Sequence, residues 1–267
     1  MEQAIDFLEE SRQLYKLLIS RQKSDYYKKT QFKNWTIDQV LGHLHIFNHA
    51  ANISLKTPDE FERFFSPISK AMSSGMKLVD TQVDWLGGLS GRHLLDAWWT
   101  GVVETSENYF VADPRARLKW VGPKMSARSS ITARQMETWA HGQEIFDILG
   151  QKRVEHDRVK NIVHLGVATF GWTFENRQMT IPHQSPYVRL RSPSGLIWEW
   201  NDYSKTSAIE GSAVDFASVV TQTRNIRDTS LKITGEVSKR WMNMAQCFAG
   251  PPHDPPTVNT RFSVVQK

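Results

Sequence analysis

Residues 134–149, RQMETWAHGQEIFDIL, form the stretch from which the fold and the chemistry of this chain are best predicted. Glu137 and His141 are four residues apart, so a helix places them one turn apart on a single face. The same face continues through the apolar residues Ile145 and Ile148, which indicates that it points at a core. A carboxylate and an imidazole on such a face need partners, because burying an unpaired charge is costly, and a divalent metal satisfies both. The stretch therefore predicts two ligands of a metal site that needs a third.

The third ligand is expected on another helix, and the sequence offers two alternatives. Thr36 and Gln39 form a capping box, which predicts a helix from Ile37. His43 flanks the predicted buried stripe of that helix. His45 and His49, also four residues apart on it, are the local competitor. From the residues alone His43 is equally well interpreted as a hydrogen-bonded core histidine. The pair on residues 134–149 is likewise open to interpretation as a helix-surface pair.

The first half of the chain shows the periodicity of four long amphipathic helices, which predicts a helical bundle. The segment 56–88 contains Pro58, Pro67 and a glycine pair, so we expect irregular structure with one short helix around residues 68–79. The segment 113–126 is predicted to be a connection. The predicted helices occupy residues 4–19, 37–55, 94–109 and a span that is capped by Ser129 or Ser130 and carries Glu137.

The second half changes character, and we expect an α+β fold overall, with domains at 1–152 and 153–267. Gly150 is placed to end the fourth helix, and the charged run 151–160 is the predicted boundary. Helical periodicity resumes over residues 159–174. Residues 187–191 and 196–200 predict a β-hairpin around a Ser-Pro-Ser-Gly turn. Two further helices are predicted at 212–220 and 237–248.

Composition restricts the function classes. The 267 residues are 40% hydrophobic, with neither a basic and apolar leader at Met1 nor an apolar run of spanning length, so we expect a cytoplasmic globular protein without membrane contact. The net charge of +5 is spread along the chain, which argues against nucleic-acid binding. The single cysteine, Cys247, excludes a multi-cysteine zinc site, so metal ligands must be His, Asp or Glu.

Four segments of the sequence together resemble a known family. They are WTIDQVLGHL at 35–44, RQMETWAHGQ at 134–143, GSAVDF at 211–216 and AQCFAGPP at 245–252. They are similar to the DinB-like metalloprotein superfamily, and within it to the mycothiol-dependent maleylpyruvate isomerase family and its uncharacterised metal-binding relatives. The resemblance implies an N-terminal DinB-like four-helix bundle with a smaller C-terminal α/β domain. It also implies one divalent metal, usually Zn²⁺, held by His43, Glu137 and His141.

The resemblance favours an enzyme, an isomerase or transferase that acts on a small conjugated-carbonyl substrate with a low-molecular-weight thiol such as mycothiol. Arg134 and Arg224 are candidate holders of substrate anions, and His164 is a further pocket candidate. Trp98, Trp99 and Trp139 are candidate walls of the site. The alternatives are a thiol-independent lyase or cyclase that uses the metal as a Lewis acid, and a non-catalytic metal-binding protein. A monomer or a homodimer is expected.

Overall fold

The computed structural model describes residues 1–264, with positions 122 and 123 described by their backbone alone. The chain divides into two compact units, Met1–Ile148 and a second that begins at Leu149. The first is helical and the second combines helices with a small mixed sheet, so the predicted α+β class is confirmed. The predicted second domain extends to residue 267, and positions 265–267 lie outside the described residues. Within residues 1–264 no helix combines the length and the apolar character needed to cross a membrane.

The first unit is built on four long helices that pack against one another, α1, α2, α5 and α6, and the predicted bundle is confirmed. Two shorter helices and a two-stranded hairpin complete it. The elements in chain order are α1 (Glu2–Leu18), α2 (Ile37–Lys56), α3 (Pro58–Ser73), α4 (Val83–Leu86), α5 (Gly91–Val111), β1 (Arg117–Trp120), β2 (Gly122–Ser126) and α6 (Ala127–Ile148).

Local hydrogen bonds explain where α2 begins and how it is fixed to its neighbours. The predicted capping box is present: the Thr36 hydroxyl accepts from the backbone N–H of Gln39, and the Thr36 N–H donates to Gln39 Oε1 at 2.9 Å. Further along, the buried Tyr109 of α5 donates its hydroxyl to the Ala51 carbonyl of α2 at 3.0 Å and lies 2.9 Å from Ser130 Oγ of α6. One side chain therefore joins three helices of the bundle.

The expectation for residues 56–88 is wrong in its main feature. In place of irregular structure there is a full helix, α3, followed by a 3₁₀ turn at Asp80–Gln82 and by α4. Pro58 occupies the first turn of α3, where a missing N–H costs nothing, and Thr57 caps the helix by accepting from the N–H of Glu60. Pro67 lies inside the same helix without ending it. Pro58 therefore marks the start of α3, and α3 tolerates Pro67 in its interior.

Two expectations around residue 120 also need correction. The segment 113–126 contains the antiparallel hairpin of β1 and β2 in addition to a connection. Helix α6 begins at Ala127. The hydroxyl of Ser126 caps its first turn by accepting a hydrogen bond from the N–H of Ser129 at 3.1 Å. The predicted caps Ser129 and Ser130 are inside the helix, so the helix begins a turn earlier than its periodicity suggested.

Up to residue 264, the second unit contains a four-stranded mixed sheet and four α-helices. The predicted hairpin of residues 187–191 and 196–200 is present as the antiparallel pair β3 and β4. Strand β3 also pairs in parallel with β5, and β6 pairs antiparallel with β5, which gives the sheet order β4-β3-β5-β6. The elements are α7 (Lys160–Ala168), α8 (Phe170–Glu175), β3 (Tyr187–Arg191), β4 (Ile197–Trp200), β5 (Ala208–Ser212), α9 (Ala213–Val220), β6 (Lys232–Thr234) and α10 (Glu236–Met242).

Two helices of this unit differ from prediction, and two of its strands were not predicted. The helix expected over 159–174 is interrupted at Thr169, whose hydroxyl donates to the carbonyls of Leu165 and Gly166. The last helix ends at Met242, short of the predicted residue 248, and the chain beyond it is held by Gln246 Nε2, which donates to the carbonyls at 248 and 251. Strands β5 and β6 were not predicted: β5 does not alternate between buried and exposed residues, and β6 has three residues, too few to show alternation.

Candidate metal centre

Two helices of the bundle bring three potential metal ligands together. His43 comes from α2, and Glu137 and His141 come from consecutive turns of α6. Glu137 Oε2 lies 3.3 Å from His43 Nε2 and 3.3 Å from His141 Nε2. One ligand atom from each residue lies within 4.8 Å of the other two. The cluster therefore has the carboxylate in the middle and an imidazole on either side.

The competing histidine pair on α2 is placed differently. His45 and His49 lie against the ring of Trp85, with ring centroids 5.1 Å and 5.2 Å away, and His49 also meets Phe64 at 5.2 Å. Neither belongs to a group of three or more potential ligands in the described part of the chain. Of the histidines on this helix, the structure brings His43 to the cluster with Glu137.

Aromatic rings surround the two histidines of the cluster. Phe32 packs edge-on against His141 at 5.0 Å, and Trp35 lies parallel to the same imidazole at 6.2 Å. Trp35 also contacts His43 at 5.5 Å, and Phe47 lies 4.8 Å from His43. Apolar rings exclude water and fix the imidazole planes, so they favour a defined geometry at the cluster.

Two of these rings come from a tight turn that sequence analysis missed. We call residues 29–36 the aromatic loop; its ends are joined by a bridge between Lys29 and Thr36. Lys33 and Asn34 both have positive φ, 51° and 57°, a conformation that is unfavourable for a lysine. The N–H of Trp35 donates to the Phe32 carbonyl at 2.9 Å. Two aromatic residues beside the helix cap were the available signal, and it was weak.

The candidate walls named from sequence lie in the core or against another aromatic ring. Trp98 and Trp139 are fully buried core residues, and Trp99 stacks on Tyr15 with ring centroids 4.8 Å apart. Phe32, Trp35 and Phe47 pack against the histidines of the cluster. The tryptophan content therefore did not by itself identify the residues at the site.

The electrostatics of the cluster set the charge of its members. Burial opposes ionisation of Glu137, but the hydrogen bonds from His141 and His43 outweigh it and hold the pKa of this carboxyl well below its usual range. Burial lowers the pKa of the His43 imidazole to about 4, which the hydrogen bond to Glu137 only partly opposes. At neutral pH the cluster thus holds a carboxylate next to a neutral His43. The Glu137 side chain keeps 23% exposure, so the cluster can be reached from solvent.

Gln82 contacts the far side of His43 and is a second residue that sequence analysis missed. It is 1% exposed, and its side-chain nitrogen lies 3.4 Å from His43 Nδ1. It reaches the imidazole because the 3₁₀ turn and α4 pack on α2, where a Cβ at Gly42 would lie 2.8 Å from Leu86 Cδ1. The segment 56–88 was predicted to be largely irregular, so nothing in the sequence assigned Gln82 to this position.

The three residues predicted to hold substrate have distinct environments. Arg134 is buried in the bundle one turn before Glu137; its Nε donates to Asn48 Oδ1 at 3.0 Å, and its guanidinium lies 5.9 Å from the Phe47 ring. His164 and Arg224 belong to the second unit. His164 is exposed and its Nδ1 accepts from Trp200 Nε1, and Arg224 Nη1 donates to the carbonyl of Thr223. Their predicted roles stay predictions.

Comparison with known proteins identifies the family. Residues 7–146 match the family described as the mycothiol maleylpyruvate isomerase N-terminal domain. Two uncharacterized proteins from Mycobacterium tuberculosis, strains CDC 1551 / Oshkosh and ATCC 25618 / H37Rv, are each 35% identical over 223 residues, 84% of this chain and 86% of the relative. The chain belongs to the mycothiol maleylpyruvate isomerase family.

Solved structures agree with this assignment at the level of the fold. The mycothiol-dependent maleylpyruvate isomerase superposes with a TM-score of 0.53 at 11% identity, covering 82% of this chain and 87% of that one. A substituted form of that enzyme gives a TM-score of 0.52 with the same coverage. The predicted family and fold are confirmed, and His43, Glu137 and His141 all lie within residues 7–146, the part that matches the family.

Proposed function

We propose that this chain is a divalent-metal-dependent enzyme, an isomerase or transferase that acts on a small conjugated-carbonyl substrate with a low-molecular-weight thiol as cosubstrate. The observation that carries the proposal is the convergence of His43, Glu137 and His141. The thiol and the type of reaction follow from the mycothiol maleylpyruvate isomerase family to which the chain belongs. The substrate is a small molecule, and mycothiol is the thiol that the family name indicates.

The cluster fits a zinc ion by its donor set and by the distances from its carboxylate to its two imidazoles. Two imidazoles and one carboxylate are a common ligand set of catalytic zinc sites. Ligand atoms bonded to a tetrahedral zinc at about 2.0–2.1 Å lie about 3.3 Å apart. Glu137 Oε2 lies 3.3 Å from each histidine Nε2. The anionic Glu137 and the neutral His43 are also in the protonation states that metal binding requires.

The number of ligands supports catalysis over a purely structural site. Within residues 1–264 the cluster holds three potential ligands and no fourth His, Cys, Asp or Glu. Structural zinc sites are usually closed by four protein ligands, whereas catalytic ones keep a position for substrate or water. When bound, zinc would act as a Lewis acid and lower the pKa of a thiol at the site. The only cysteine, Cys247, is buried in the second unit, so the thiol we propose is an added small molecule.

The residues behind the ligands hold them in position. For His43 Nε2 to present a lone pair at the cluster, Nδ1 must carry the ring proton and needs an acceptor. Gln82 supplies this acceptor when its amide is rotated so that Oε1 and Nε2 exchange places and Oε1 faces Nδ1. The two orientations of an amide have almost the same shape. We assign Gln82 the role of a positioning residue, and the aromatic loop that of excluding water around His141.

We propose Arg134, Arg224 and His164 as substrate-binding residues. Arg134 is only 2% exposed, so it would act on a bound anion through its charge unless the bundle opens. The domain assignment is likewise a proposal: a metal-binding bundle over residues 1–152 and an α+β domain over 153–267.

Cobalt substitution tests the proposed function. Cobalt-loaded protein mixed with mycothiol or glutathione is expected to show a sulfur-to-metal charge-transfer band. The band is expected to disappear in Glu137→Ala and to persist in the matched control His49→Ala, which lies outside the cluster. If no cellular thiol produces the band while a conjugated carbonyl compound still perturbs the cobalt spectrum, the thiol-independent lyase or cyclase takes its place. If cobalt does not bind at all, metal dependence itself is refuted.

A further inference from the structure

A cavity of about 850 Å³ in the second unit has features of a separate ligand site. It lies on the exposed face of the sheet, where β3 meets β4 and β5, and is bounded by residues 152–155, which precede α7. Its volume is within the range of pockets that hold small organic molecules. All its lining residues follow Leu149, so it is distinct from the cluster of His43, Glu137 and His141.

The charge of the lining is strongly one-sided. Four cationic side chains line the cavity together with a single carboxylate, that of Glu155. The cations are Lys152, Arg153, Arg189 and Arg191. A cavity lined by one sign of charge concentrates its field and attracts the opposite charge. The net cationic lining therefore favours an anionic ligand.

Two of these cations already have a carboxylate nearby. Arg153 Nε lies 3.7 Å from Glu155 Oε1, and Arg189 Nε lies 3.6 Å from Glu199 Oε1. The Arg153 side chain is only 4% exposed, so a guanidinium is built into the wall of the cavity rather than dispersed in solvent. Arginine is almost never this deeply buried unless it is paired, and Glu155 is a partner of Arg153 here. The cavity wall is thus more than a solvated surface patch.

The other two cations, Lys152 and Arg191, have no carboxylate within ion-pair distance among residues 1–264. Arg191 is on β3, two residues from Arg189, so both arginines project from the same face of the sheet. Lys152 comes from the segment before α7. Two uncompensated positive charges from separate segments match a ligand with two negative charges.

The remainder of the lining indicates an apolar body attached to those charges. Val154, Ile197 and Val214 all line the cavity, and Val154 and Ile197 are 63% and 40% exposed. Exposed apolar side chains inside a polar rim are typical of ligand-binding surfaces. An inorganic anion would leave these side chains in water, whereas an organic anion would cover them.

The rim beside Arg191 is held in one conformation. The turn after β3 is bonded to the segment before α7 by Asp157, which accepts from the N–H of Ser194 at 3.0 Å and from its hydroxyl at 2.6 Å. The buried Ser192 accepts from the N–H of Leu196 at 3.0 Å. A rim fixed in this way loses little conformational freedom when a ligand binds.

We propose that this cavity binds a small organic dianion with an apolar body, a dicarboxylate or a phosphate monoester. The proposal goes beyond the metal-dependent reaction and does not depend on it. Lys152 and Arg191 would hold the two charges, and Val154, Ile197 and Val214 would cover the apolar part.

Calorimetric titration of the full chain with four probes at low ionic strength tests this proposal. Phthalate and phenyl phosphate combine two charges with a ring, benzoate has one charge, and inorganic phosphate has no apolar part. Phthalate or phenyl phosphate is expected to bind more tightly than the other two, and which of the pair binds better separates the dicarboxylate from the phosphate monoester. Equal weak binding of all four, or no binding, overturns the proposal.

Charge-removing variants locate the binding. Lys152→Gln and Arg191→Gln are each expected to weaken it about tenfold, since each removes a charged hydrogen-bond donor. Lys205→Gln makes the same change at an exposed residue outside the cavity and is expected to leave binding unchanged. Glu137→Ala is also expected to leave it unchanged, which separates this site from the metal centre. Equal weakening by Lys205→Gln would show unspecific attraction, and loss in Glu137→Ala would move the anion to the metal; either result refutes the proposal.

Discussion

Replacing Gln82 with leucine is expected to weaken metal binding without removing a ligand. Gln82 is 1% exposed and its amide lies 3.4 Å from His43 Nδ1, so leucine leaves the far nitrogen of this imidazole buried without its partner. Leaving a buried polar group unsatisfied costs about 1–3 kcal/mol, which corresponds to a loss of affinity of about 5-fold to 150-fold. Loss of residues that orient a ligand typically costs about 10-fold to 100-fold in affinity, so the two magnitudes agree.

The assay is competition for zinc against a chelator of known affinity, with Gln82→Glu as the matched variant. A glutamate keeps an acceptor for the proton on His43 Nδ1, so its zinc affinity is expected to equal or exceed that of the wild type. Nitrogen chemical shifts of the His43 ring report which nitrogen carries the proton. Wild-type affinity in Gln82→Leu, or equal losses in the leucine and glutamate variants, would refute the positioning role.

Two predictions concern stability. Burial lowers the pKa of His45 to about 4 in the folded protein. As the pH falls, the imidazole is therefore protonated in the unfolded chain before it is protonated in the folded one. The stability that this residue contributes above pH 6.5 is lost as the pH falls toward 4. His45→Phe keeps a ring packed near Trp85. Between pH 7 and pH 5 its free energy of unfolding, measured by urea denaturation, is expected to fall by about 1–2 kcal/mol less than that of the metal-free wild type. An unchanged pH dependence would contradict this. Tyr109→Phe removes the hydroxyl that meets Ala51 and Ser130 and is expected to lower the free energy of unfolding by about 1–3 kcal/mol in the same assay, whereas a change near zero would show that the two partners rebond elsewhere.

The bundle was predictable because its helices are long and carry their own signals. The capping box of Thr36 and Gln39 predicted the start of α2, and the spacing of Glu137 and His141 placed two candidate ligands on one face of α6. His43 could be placed on the correct helix but not chosen over His45 and His49 by spacing alone. The choice depends on how α2 and α6 pack, which is a property of the folded unit.

The parts that could not be predicted depend on packing or on unusual backbone conformations. Gln82 reaches His43 only because α4 approaches α2 closely at Gly42. The aromatic loop requires positive φ at Lys33, which sequence patterns do not favour for that residue. Strand β6 has three residues, too few for a periodic pattern to be recognised.

Metal content after purification without a histidine tag is the most direct test of the proposed metal centre. Elemental analysis of the wild type is expected to give about one zinc per chain, and each of His43→Ala, Glu137→Ala and His141→Ala is expected to fall well below that, since removing one of three ligands leaves an incomplete shell. His45→Ala, on the same helix but outside the cluster, is expected to retain the wild-type content. A full zinc content in His43→Ala, together with loss of zinc in His45→Ala, would contradict the proposed site.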